Sequence, residues 1–91
     1  MEGQQRKAKH GLPSLVLPRT VKSRDFRVSV SVENAFWVAL KDIATSKGVS
    51  LYELVSQIDR KRRLDCENPN LSSAIRVFIL TYYRELAEAK R

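Results

Sequence analysis

Arg27, Ser29 and Ser31 are the residues of this chain best set to engage another molecule. They alternate with Val28, Val30 and Val32. A period of two places them on one face of an extended strand, with the valines on the other. That polar face carries a guanidinium, a donor only, and two hydroxyls that donate or accept. A second candidate lies at Lys47-Gly48-Val49-Ser50. Ser50 with Glu53 three residues on forms the Ser-x-x-Glu pattern of a capping box. A helix that opens there presents free N–H groups and the positive end of its dipole, which together make an anion site. Arg60-Lys61-Arg62-Arg63 is a third concentration of charge. A run of four basic residues is by itself the pattern of a solvated helix end.

Catalysis finds no support. The chain has one His and one Cys, and it has no His-Glu-x-x-His, no P-loop and no glycine-rich phosphate cradle. Asp42, Glu53 and Asp59 fall on helical faces with Lys or Arg nearby, a pattern of surface pairing. His10 has no companion ligand, so no metal and no cofactor is expected. Cys66 has no intrachain disulfide partner, which fits a reducing compartment.

Charge points instead to an anionic partner. Seventeen Lys and Arg against ten Asp and Glu leave a net charge of +7 on 91 residues. Residues 1–27 hold seven of the basic residues against Glu2 and Asp25, so the excess sits in the N-terminal part and the Arg60–Arg63 knot. Nucleic acid and an acidic membrane surface are the partners such a balance favours. No apolar run is long enough to span a bilayer. Leu12–Leu17 is too short and too interrupted by proline for a signal peptide, so the cytoplasm is the expected location.

The elements that would position these residues follow from periodicity. Residues 12–18 are bracketed by Pro13 and Pro18 and read as extended. Arg19-Thr20-Val21-Lys22 is placed to pair back on residues 26–30 as a first strand, with Ser23-Arg24-Asp25 as its turn. From Glu33 or Asn34 the period becomes helical through Phe36, Trp37, Leu40, Ile43 and Ala44, and either residue suits the positive N-terminal end. Neighbours Phe36 and Trp37 cannot face the same side, so one of them is expected to meet the last helix. Gly48 stops the first helix, and Leu51, Leu54, Val55 and Ile58 form the stripe of the next. Asn70 caps a third helix from Leu71 to about Lys90, whose broad apolar arc includes Ala74, Ile75, Phe78, Ile79 and Tyr82.

A strand, a helix, a tight Gly48-x-Ser50 turn and a second helix, in that order, resemble the ribbon-helix-helix family that includes the Arc and Met repressors. The resemblance covers roughly residues 24–60. It is closest to a bacterial subfamily with a Phe-Trp pair in its first helix, here Phe36-Trp37, and an added helix opening Asn70-Leu71-Ser72-Ser73-Ala74-Ile75. The resemblance implies a mainly α fold with a short β ribbon, built as an intertwined homodimer, with an extra C-terminal helix. It divides the chain into a basic flexible arm (1–18), the ribbon-helix-helix domain (19–60), a polar linker (61–70) and a helix packed on the domain (71–91). It further implies a transcriptional regulator, a repressor, whose two-stranded ribbon enters the DNA major groove. Arg27, Ser29 and Ser31 are then the base-contacting residues. Lys47, Val49, Ser50 and Leu51 hold a phosphate, and Arg19, Lys22, Arg24, Arg60 and Arg62 are candidate backbone contacts.

Two other readings stay open. In one, the chain is an antitoxin-like or adaptor dimer that grips a second protein with Ile75, Phe78, Ile79 and Tyr82. In the other, the basic arm and Leu12–Leu17 attach it to a membrane surface. A hairpin at residues 19–30 also raises a question of width. Four strands would span about 14 Å between outer axes, against a major groove about 12 Å wide.

Overall fold

Period-two and period-3.6 patterning meet at Glu33, where the chain passes from sheet to helix. The computed structural model describes residues 12–23, 27–65 and 70–90. Within them lie β1 (Val16–Lys22), β2 (Arg27–Glu33), α1 (Asn34–Lys47), α2 (Leu51–Asp65) and α3 (Leu71–Ala89). Arg24, Asp25 and Phe26 of the expected hairpin turn lie outside the described residues, as do His10 and Cys66.

The hairpin is longer than the sequence pattern predicts. β1 starts at Val16, inside the segment read as a flexible arm, and pairs antiparallel with β2 from Val16 opposite Glu33 to Lys22 opposite Arg27. Pro18 does not interrupt it, for a geometric reason. The Asn34 N–H donates to the Leu15 carbonyl across the end of the ladder at 2.8 Å. Hydrogen-bonded and non-bonded pairs alternate from there, so Pro18 and Ser31 form a non-bonded pair. The proline nitrogen then faces the outer edge, where no donor is needed, and it blunts that edge against a further strand. By the same alternation the backbone groups of Arg27, Ser29 and Ser31 face the other edge of β2, which is open among the described residues. β2 is therefore not a lone strand awaiting a second copy on both sides, since its own chain fills one side.

The helices form the second layer. Val30, Val32, Leu40, Ile43, Leu54, Val55 and Ile75 are fully buried between the sheet and the three helices. β1 packs on α2, whereas β2 packs on α1 and α3. Phe36 and Trp37 diverge as expected: Phe36 lies 5.9 Å from the Arg76 guanidinium of α3, and Trp37 lies 5.0 Å beneath that of Arg19.

Gly48 ends α1 at φ 70°, ψ 29°. Its N–H donates to the Thr45 carbonyl at 3.1 Å, and the Val49 N–H reaches back to Ala44 at 3.0 Å. These are the two bonds of a Schellman motif. A Cβ at this position would meet no atom within 4 Å, so only backbone conformation opposes substitution. Gly48→Ala is expected to cost about 1 kcal/mol, read as a lower urea midpoint at unchanged m value.

α2 runs to Asp65, five residues past the expected domain edge. Ionic pairs along the helix carry it there. Asp59 is buried, unlike the surface pairing its spacing implies. It accepts from Arg62 at 2.6 Å and from Arg63 at 2.9 Å, and Lys61 pairs with Asp65 at 3.0 Å. α3 opens with the Asn70 side chain accepting from the Ser73 N–H at 2.8 Å, as its sequence implies. No helix among the described residues is long and apolar enough to cross a membrane.

Candidate nucleic-acid interface

The alternation of β2 sorts its side chains cleanly. Val30 and Val32 are buried and Val28 is half-buried, while Arg27, Ser29 and Ser31 are all exposed on the opposite face. β1 adds to that face the residues directly opposite them: Lys22 beside Arg27, Thr20 beside Ser29 and Pro18 beside Ser31. Thr20 is a member of the face that sequence reasoning misses, although its alternation with Val21 and Arg19 carries the signal. The result is a polar strip of hydroxyls with a Lys22–Arg27 pair at the turn end.

Like charges directly opposite each other destabilise a sheet. Among the described residues neither Lys22 nor Arg27 has an ion-pair partner. An anion held at the face would relieve that repulsion. At the other end Glu33 is turned to the helix layer, where its carboxylate accepts from Arg76 Nε at 2.9 Å. That hydrogen bond, together with one from its own backbone N–H, holds Glu33 below its ordinary pKa. The bridge therefore acts above the unfolded pKa and is lost as the pH falls through the lowered folded value. It also neutralises the only carboxylate on β2.

The Ser50 corner is the second component. Ser50 Oγ accepts from the Glu53 N–H at 3.0 Å, so its hydroxyl proton remains free for an acceptor. The reciprocal bond of a capping box, from Glu53 to the Ser50 N–H, is not formed among the described residues. The amides of Ser50 and Leu51, at the positive end of α2, have no backbone acceptor among the described residues. Val49 differs from its expected role. Its N–H is engaged by Ala44 in the Schellman turn, and its side chain packs on the core, so its amide is withdrawn from any phosphate. Lys47 is exposed in the last turn of α1.

The candidate backbone contacts divide. Lys22 is on the polar face. Arg19 is on the other: its Nη2 donates to Asn34 Oδ1 at 2.7 Å, its guanidinium covers Trp37, and Nη1 is buried. The odd parity of Arg19 in β1 turns it inward, so it leaves the set of candidates. Arg62 is tied to Asp59, and Arg60 lies 3.5 Å from Ser56 Oγ on an exposed face. Arg24 lies outside the described residues.

No curated protein and no solved structure matches the chain. The family described as ribbon-helix-helix domain matches over residues 17–83. The match takes in nearly all of both strands, all of α1 and α2 and most of α3, and so the chain belongs to the ribbon-helix-helix domain family.

Proposed function

We propose that this chain is a DNA-binding regulator that acts as a homodimer, laying the polar face of β2 in the major groove. The observation that carries this reading is the exposed Arg27-Ser29-Ser31 row, flanked by Lys22, with no free carboxylate on it among the described residues. Arg27 makes a bidentate contact with a guanine edge, and the serines contact several bases permissively. Such short readers give modest direct selectivity, which DNA shape supplements. The Ser50 and Leu51 amides, the Ser50 hydroxyl and Lys47 hold a phosphate and set the register.

Width, the objection to a hairpin, becomes a feature in this arrangement. Two copies joined at the open edges of β2 give the strand order β1-β2-β2-β1. The central pair, at a spacing of about 4.8 Å, fits within the groove. The two β1 strands then lie over the groove walls, and sheet twist carries them along the backbones. Thr20 and Lys22 of β1 meet phosphates there. Lys22→Ala removes two phosphate contacts per dimer. The slope of log K against log salt is expected to become shallower by about two, with little change in preference between sequences. Fluorescence anisotropy titrations across a salt series measure both. A slope unchanged by Lys22→Ala places β1 away from the backbone, and binding insensitive to salt in the unmodified protein removes the DNA reading.

The alternative grip by α3 on another protein has less behind it. Ile75 and Ile79 are buried, and Phe78 and Tyr82 pack against the same core. That face of α3 is occupied by its own chain.

A further inference from the structure

The opposite face of α3 is covered by none of the described residues. Val77 is 50% exposed, Leu80 57% and Tyr83 41%. With Phe36 and Ile79 they line a shallow, almost wholly apolar groove that Arg76 borders. Large aliphatic residues exposed next to one another in a row mark a surface that something covers.

The topology says what. β1 sits on α2, and β2 sits on α1 and α3. Stepping across the sheet from β1 to β2 therefore moves from the α2 side toward the α3 side. A strand added at the open edge of β2 comes next in that direction, beyond Glu33 and Arg76, with the groove beneath it. The outer edge of β1 is closed by Pro18, so this is the edge at which the sheet extends. Two independent features thus fall on one side of the molecule: seven residues of β2 with an unfilled backbone edge, and an apolar groove below it. A two-fold axis perpendicular to the sheet at that edge sets each feature against its own copy, which is how a self-complementary interface is made.

We propose that Val77, Leu80, Tyr83 and Phe36 form the helix-layer seam of the homodimer, covered by the same face of α3 from a second copy. The inference rests on the dimeric part of the DNA-binding proposal and adds the surface that makes the dimer stable. A short two-stranded ribbon alone buries little against the roughly 1,000 Å² a specific interface needs. The seam supplies the remaining apolar area and fixes the angle between the two polar faces, so the DNA site is incomplete without it. α3 is then sandwiched, with Ile75 and Ile79 toward its own core and Val77 and Leu80 toward the partner.

The test is the mass of the full chain in solution without DNA, by sedimentation velocity over a dilution series. The unmodified protein is expected to be a dimer. Leu80→Glu places a carboxylate in the seam and is expected to raise the dimer dissociation constant about a hundredfold or more, with the helical circular dichroism retained. Leu64→Glu alters an even more exposed leucine at the end of α2 and is expected to leave the dimer intact. If Leu80→Glu does not fold, the milder pair Val77→Ser and Leu80→Ser reads the same loss. A dimer undisturbed by these changes overturns the seam, and so does an unmodified chain that is monomeric at high concentration. A stable unmodified monomer that instead binds a different protein through this groove does the same. A dimer that dissociates as described yet binds no DNA leaves the seam standing and sinks only the DNA reading.

Discussion

Arg27→Ala is expected to lower the affinity of the proposed dimer for its preferred DNA site by roughly 30-fold to 10⁴-fold, because a bidentate guanine contact contributes about 1–3 kcal/mol and the proposed dimer would make two. Affinity for scrambled DNA falls much less, by the loss of one charge per protomer. The ratio of the two affinities therefore collapses, and that ratio is the quantity to measure. A preferred site is first selected from a random duplex pool with the unmodified protein. Anisotropy titrations at fixed salt then compare it with a scrambled duplex. Arg27→Lys separates the two contributions: it keeps the charge and loses the planar fork. It is expected to restore scrambled-site binding and to recover only part of the selectivity. Ser29→Ala and Ser31→Ala are smaller changes, since a hydroxyl that accepts or donates at several bases discriminates weakly among them. If Arg27→Ala weakens preferred and scrambled sites by the same factor, Arg27 is a phosphate contact and the ribbon does not read bases.

The features of this molecule that local periodicity encodes are legible in its sequence. The alternation from Arg27 to Val32, the helical spacing from Phe36 to Ala44, and the Gly48 and Ser50 punctuation each follow from backbone geometry over a few residues. The features that are not legible depend on contacts between distant segments. Pro18 argues against a strand until the phase of the ladder is known, and that phase turns its nitrogen outward. Arg19 and Lys22 look equivalent as basic residues near the ribbon. Three residues apart on one strand, they point to opposite faces, one into the helix layer and one to solvent. Val49 resembles a phosphate ligand by its place ahead of Ser50, yet a bond to Ala44, five residues back, removes its amide. Asp59 has the spacing of a surface carboxylate, but it is buried and paired with two arginines of the next turn. In each case the residue type is evident in the sequence and its partner is not.

Asn34→Ala is the substitution expected to weaken the fold most for its size, by about 3 kcal/mol. Asn34 is almost fully buried. The side chain of Glu33, the N-cap residue, does not cap α1. The turn ahead of β1 does so instead: the Asn34 N–H donates to Leu15 at 2.8 Å and the Ala35 N–H to Pro13 at 3.0 Å. The carboxamide then locks this turn in place, donating to the Leu12 carbonyl at 2.9 Å and accepting from Arg19 Nη2 at 2.7 Å. Alanine removes both bonds, and its better helix propensity offsets only a few tenths of a kcal/mol. The larger part of the cost falls on Arg19, whose Nη1 is already buried without a hydrogen-bond partner among the described residues. Losing Nη2 as well leaves the cation with little beyond the Trp37 ring. Arg19→Met removes that charge and keeps the apolar cover of Trp37, so it is expected to be close to neutral, and Arg19→Met with Asn34→Ala is expected to be milder than Asn34→Ala alone. Urea unfolding of the four proteins closes the cycle. A coupling below about 0.5 kcal/mol dissociates the two residues and leaves the docked turn without its lock. A loss of DNA binding in a well-folded Arg19→Met protein returns Arg19 to the DNA surface and removes this account of it.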